Sequence, residues 1–139
     1  MVRLDVRTGC GYRHLTWLGG FWSLPDTLLG LLFALASASL PHPVQGLLVA
    51  EASHGLARWF LTRRGFGAIT FGRVIVSTTP LTPHLLMHES HHVRQYEVLG
   101  PTFIPYYLWL QARSGYAHNQ LELEAEACAV ASDALSPVR

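Results

Sequence analysis

Residues 84–97 read HLLMHESHHVRQYE, and within them His88-Glu89-Ser90-His91-His92 spells H-E-x-x-H. On a helix, residues four apart lie one turn above each other, so the imidazoles of His88 and His92 project from one face and can converge on a single ion. Glu89 is rotated away from that face by one residue. It lies too far round to share the ligand shell, yet near enough to take a proton from a water on the metal, which is the position of a general base. The flanking residues support a helix here. Thr82 is a good N-cap, Pro83 a good first helical residue, and Leu85, Leu86 and Met87 supply an apolar side to bury. Gly100-Pro101 predicts its end. Two more histidines accompany the motif. His84 extends the i, i+4, i+8 row but falls in the first turn, where a solvent-facing residue is expected, and His91 is expected to pack or to hydrogen-bond behind the ligands.

Two histidines leave a catalytic zinc short of one protein ligand. Downstream, NQLELEAEA (119–127) offers Glu122, Glu124 and Glu126 on a final predicted helix capped by Asn119. Glu122 and Glu126 share a face and Glu124 points elsewhere. Spacing alone leaves Glu122 and Glu126 equal. A competing role for Glu122 is reciprocal capping, since it would stand three residues after Asn119.

The 139 residues suffice for one domain with a core, and one domain is expected throughout: an apolar helical region over 1–45 and a metal-binding core over 46–139. Half the residues are hydrophobic and only 14% are charged. That is lean for a soluble protein and raises contact with a membrane surface or a membrane-protein partner. The net charge is +1 and the longest basic run is Arg63-Arg64, so nucleic acid is not expected as a partner. Cys10 and Cys128 form no CxxC, which removes a thiolate zinc knuckle and leaves their pairing open.

The apolar run from Leu24 to Pro43 passes Ala36-Ser37-Ala38, a signal-peptidase-like site with arginines ahead of it. Its late start and Pro25-Asp26 argue against cleavage. It falls short of the ~20 apolar residues a span needs. A core helix or a segment lying in a membrane interface is expected, with WLGGFW (17–22) supplying interfacial tryptophans. The location expected is accordingly a membrane surface or the cytoplasm. Residues 1–23 carry no clear period and are read as irregular, or as a short strand and a turn. Residues 46–52 and 68–77 are read as strands, and HGLARWFLTRRG between them as strand or helix.

The stretch HESHHVRQYEVLGPTFIPYYLW (88–109) followed by NQLELEAEA resembles a group of small bacterial proteins with a zincin-like metallopeptidase core of the gluzincin branch. Their pattern runs H-E-x-x-H-V-x-Q-Y-E, then G-P-x-F-x-P-x-Y, then N-x-x-E-x-E-A. The resemblance covers the second half of the chain. It implies a mostly helical α+β fold: a small antiparallel sheet whose edge strand, over 68–77, borders the cleft, the H-E-x-x-H helix, and a C-terminal glutamate helix. It implies Glu122 as the third ligand beside His88 and His92, Glu89 as the catalytic base, Zn2+ as the cofactor, and a peptide or protein as the substrate. It also tilts the 54–65 segment toward a hairpin. No transition-state stabiliser is singled out among Tyr106, Tyr107, Tyr116 and His118. The alternative function is a catalytically silent zincin-like interaction module, or a small subunit of a membrane-associated complex.

Overall fold

A computed structural model describes Cys10 and residues 17–135. Helices α1 (Trp17–Trp22) and α2 (Leu24–Leu35) lead into strands β1 (His42–Val44) and β2 (Leu47–Glu51). Helix α3 (Gly55–Arg64), strands β3 (Ala68–Phe71) and β4 (Val74–Ser77), and helices α4 (Pro83–Leu99), α5 (Phe103–Ser114) and α6 (Gln120–Leu135) follow. The fold is α+β and mostly helical, as expected.

The sheet is mixed rather than antiparallel. Its order is β1-β2-β4-β3, with β2 and β4 parallel in the register Leu48↔Val74 to Glu51↔Ser77. Parallel neighbours require a crossover, and α3 with β3 provides it. The expected hairpin over 54–65 is therefore a helix. Ala57 and Leu61, four residues apart, are its buried positions, and Gly65 at φ 71° ends it. The expected strand over 68–77 is likewise two strands, folded back at Gly72-Arg73 with Gly72 at φ 58°. Only its first half, β3, is an edge; β4 is central and buried along its length. β1 and β2 meet at Gln45-Gly46, both at positive φ, the backbone a two-residue hairpin loop requires.

Residues on β4 alternate between two cores. Val74 and Val76 join Ala34 of α2 and Ala57 of α3 on one face, while Ile75 joins Val93 of α4 on the other. The sheet is thus sandwiched between α2 and α3 on one side and α4 on the other, and α6 packs against α4. Gly30 lets α2 approach the strands, since a Cβ there would stand 2.8 Å from Val74 Cβ. Tyr96 of α4 stacks on Phe103 of α5 with ring centroids 3.8 Å apart, closing the far end.

Residues 17–22, expected to be irregular, form α1. Gly19 is buried there and the Arg73 guanidinium lies against Gly20, so packing overrides the poor helix propensity of glycine. The rest of that expectation falls on residues 1–9 and 11–16, outside the described residues. A disulfide joins Cys10 to Cys128 of α6.

Candidate metal centre

Helix α4 begins as its sequence dictates: Pro83 is its first residue and the Leu85 amide donates to Thr82 Oγ1 at 3.2 Å. From there His88 and His92 fall one turn apart, with ring centroids 5.0 Å from each other. Packing of α6 on α4 brings Glu122 between them. His88 Nε2 lies 3.1 Å from Glu122 Oε2, and His92 Nε2 lies 3.5 Å from Glu122 Oε1. One donor atom from each residue falls within 4.8 Å of the others, so the three can hold a metal ion. The capping role considered for Glu122 is not what it does. The Leu121 amide donates to Asn119 Oδ1, while the Glu122 carboxylate is turned to the histidines.

Each imidazole is fixed through its other nitrogen. His88 Nδ1 lies 3.1 Å from Glu126 Oε2. Both nitrogens of His88 thus face carboxylates, which fix the ring, and an ion at the centre would take the place of a proton on Nε2. His92 Nδ1 stands 2.8 Å from Gln95 Oε1, and Gln95 Nε2 donates to the Leu121 carbonyl at 3.0 Å and to Glu124 Oε2 at 3.2 Å. The amide must therefore turn its oxygen to the histidine, so His92 Nδ1 donates to it. The imidazole and carboxylate donors thus fit a metal cation.

Glu122 is the electrostatic centre of the group. Burial opposes its ionisation, but hydrogen bonds from His88, His92 and Tyr107 outweigh it and hold the carboxyl well below its usual range. Tyr107 donates to Oε1 at 2.6 Å and Tyr116 to Oε2 at 3.3 Å. Burial, together with Glu122, pushes both phenols above their ordinary range, so they remain donors. For His92, burial works against the charged form, and the Glu122 and Glu89 carboxylates more than compensate.

Glu89 is buried, and its Oε2 accepts from Thr70 Oγ1 of the edge strand at 2.6 Å. His88, Glu89, His92 and Glu122 all line one cavity of about 250 Å³. Aromatic and aliphatic side chains, Phe60, Phe66, Ile69 and Phe103 among them, make most of the remaining wall, with Arg64, Thr70 and Gln111 as polar exceptions. Edge strand β3 borders this cavity, as expected of the 68–77 segment's first half.

Other residues singled out in the sequence fall in different places. His84 takes no part in the cluster; it is paired with Asp133 at 2.5 Å and with Glu126 at 3.3 Å. Glu126 serves His88 and His84 instead of joining the three donors. His91 is buried against Cys128 Sγ at 3.5 Å. Among the four residues considered as stabilisers, Tyr107 and Tyr116 line the cavity. Tyr106 stacks on Trp109 with centroids 6.0 Å apart, and His118 is exposed in the turn before α6. Sequence reasoning missed Thr70 and Gln95. Gln95 had a signal, being three residues after His92 on the same helix face; Thr70 has none, because its contact spans 19 residues.

In comparisons with protein-family models, curated proteins and solved structures, nothing matches this chain.

Proposed function

We propose that the chain is a zinc-dependent peptidase in which His88, His92 and Glu122 hold the ion and Glu89 is the general base. The observation that carries this reading is the convergence of the three donor atoms within 4.8 Å, beside a buried carboxylate in one cavity. Three protein ligands from imidazole and carboxylate are the set of a catalytic zinc rather than of a closed structural one. When bound at such a site, zinc acidifies water and polarises a carbonyl. The chain's own residues do the rest. Thr70 pins one oxygen of Glu89, so the carboxylate is already oriented when it takes a proton from the attacking water. It passes that proton to the amide nitrogen as the C–N bond breaks. Tyr107 and Tyr116 keep Glu122 anionic and in place. The apolar wall excludes bulk water and accepts apolar substrate groups.

Elemental analysis of protein purified without added metal should return one zinc per chain, lost in His88→Ala and in His92→Ala. Zinc-loaded protein should cut members of a peptide library. Glu89→Gln should keep its zinc and lose about 10²–10⁴-fold in rate. Undiminished cleavage by Glu89→Gln removes the base. A library left uncut by zinc-loaded protein reassigns the centre to a metal-stabilised interaction module, a reading favoured by the exposed Tyr106–Trp109 stack.

A further inference from the structure

Helices α1 and α2 are amphipathic in the reverse sense of a helix on a water-soluble protein. The polar side chains of α2 and of Ser23 before it face inward, and α1 has none apart from its tryptophan indoles. Ser23 and Thr27 are buried, and Asp26, the one ionisable residue between Trp17 and Leu35, is 5% exposed. Ser23 and Thr27 find partners inside: Ser23 Oγ donates to the Gly20 carbonyl at 3.4 Å, and Thr27 Oγ1 donates to the Ser23 carbonyl at 3.0 Å and accepts from the Arg73 amide at 3.2 Å, whereas Asp26 Oδ2 is buried without a hydrogen-bond partner. The small residues Gly30 and Ala34 also face the sheet. The outward side is left to Trp17, Phe21, Leu28, Leu32 and Leu35, with Trp17 at 79% and Leu32 at 65% exposure.

Helix α3 extends the same outer surface. It covers the same side of the sheet as α2, through Ala57 and the Phe33–Phe60 ring contact at 6.1 Å. Outward it presents Leu56 and Trp59, together with Arg58 and Arg63 and no acidic residue. The Arg63 guanidinium lies 5.3 Å from the Trp59 ring centroid.

We infer that α1, α2 and α3 form a membrane-docking face that lies in the headgroup–acyl boundary of a bilayer containing anionic phospholipid. Three observations select lipid over a protein occupant. Protein interfaces carry about one hydrogen bond per 100–200 Å² and a polar rim, whereas here α1 offers no polar side chain but its tryptophan indoles and the polar groups of α2 and of Ser23 before it are turned away from the surface. Tryptophans gather at one end of a leucine face, the arrangement of helices lying in an interface. The flanking arginines complement anionic headgroups. Among the described residues no helix is long and apolar enough to cross a membrane, so the face lies along the bilayer.

Flotation of the full chain with vesicles tests this, using phosphatidylcholine alone or mixed with phosphatidylglycerol. The protein should float with the mixed vesicles, with a blue shift of tryptophan emission. Substituting Leu28→Gln, Leu32→Gln and Leu35→Gln together should weaken partition about tenfold or more, without lowering thermal stability, because these side chains are exposed. Trp17→Gln with Phe21→Gln gives an independent reading from α1. Arg58→Gln and Arg63→Gln should each cost about fivefold on anionic vesicles and little on neutral ones. Val130→Gln, exposed on α6, should change nothing. Failure to float with either vesicle overturns the inference, as does flotation unaffected by the leucine substitutions. A lipid-free dimer dissociated by those substitutions assigns the face to a second copy, and binding only to membranes that carry their native proteins assigns it to a protein partner; either result also overturns it. All of these outcomes are independent of whether the cavity cleaves peptides.

Discussion

Gln95 and Glu126 touch neither Nε2 of the candidate centre, yet they decide how its two imidazoles are presented. Replacing either with alanine frees a ring to rotate and to exchange tautomers. Gln95→Ala and Glu126→Ala should each weaken zinc binding about 10–100-fold, measured by competition with a chromophoric chelator, while Asp133→Ala, further along the chain of contacts, should have a smaller effect. His91 makes a different contribution. Burial, reinforced by the neighbouring His92 and Arg94 charges, pushes its pKa down to about 4, below the ~6.5 of a free histidine. The unfolded chain therefore binds the proton first. Stability supported by neutral His91 is complete above pH ~6.5 and is lost as the pH falls from there to about 4. Denaturant titrations across that window should show a shallower pH slope for His91→Gln than for the parent protein.

Among the elements, the contact of α2 with the hairpin of β3 and β4 leaves little room. Gly30→Ala would press a methyl group against Val74 and Phe71 Cβ, at 2.8 and 2.9 Å. It should lower stability by about 1–3 kcal/mol in chemical denaturation, although alanine is the better helix former. The same contrast between local and distant signals explains what the sequence could tell. Helix α4 was legible to the residue at its start, because Thr82 and Pro83 act locally and His88 and His92 are read by a four-residue period. Helix α6 was legible for the same reason, from Asn119 onward. The sheet was not. Whether 54–65 is helix or strand turns on Ala57 and Leu61 finding a buried face, and the parallel pairing of β2 with β4 joins residues 26 apart in sequence. At the site, spacing brought Glu122 and Glu126 forward together; only the packing of α6 on α4 separates a residue between the rings from one behind them.

At the scale of the whole molecule, the Cys10–Cys128 bond joins residues 118 apart and clamps the chain's start to α6 beside Met87 and Ala129. Reduction, or Cys10→Ser with Cys128→Ser, should cost about 2–4 kcal/mol in equilibrium unfolding, with the loss reversed on reoxidation of the parent protein. The outward leucines of α1 and α2 do not line the cavity, so each can be altered without the other. On the proposed zinc reading, the placement of Glu122 on α6, the last of the described elements, makes it the last of the three donors to be synthesised. A nascent polypeptide that has extruded only as far as α5 presents both imidazoles but lacks the carboxylate that unites them. Ribosome-bound intermediates should therefore retain ions weakly, and full occupancy should await the docking of the closing helix.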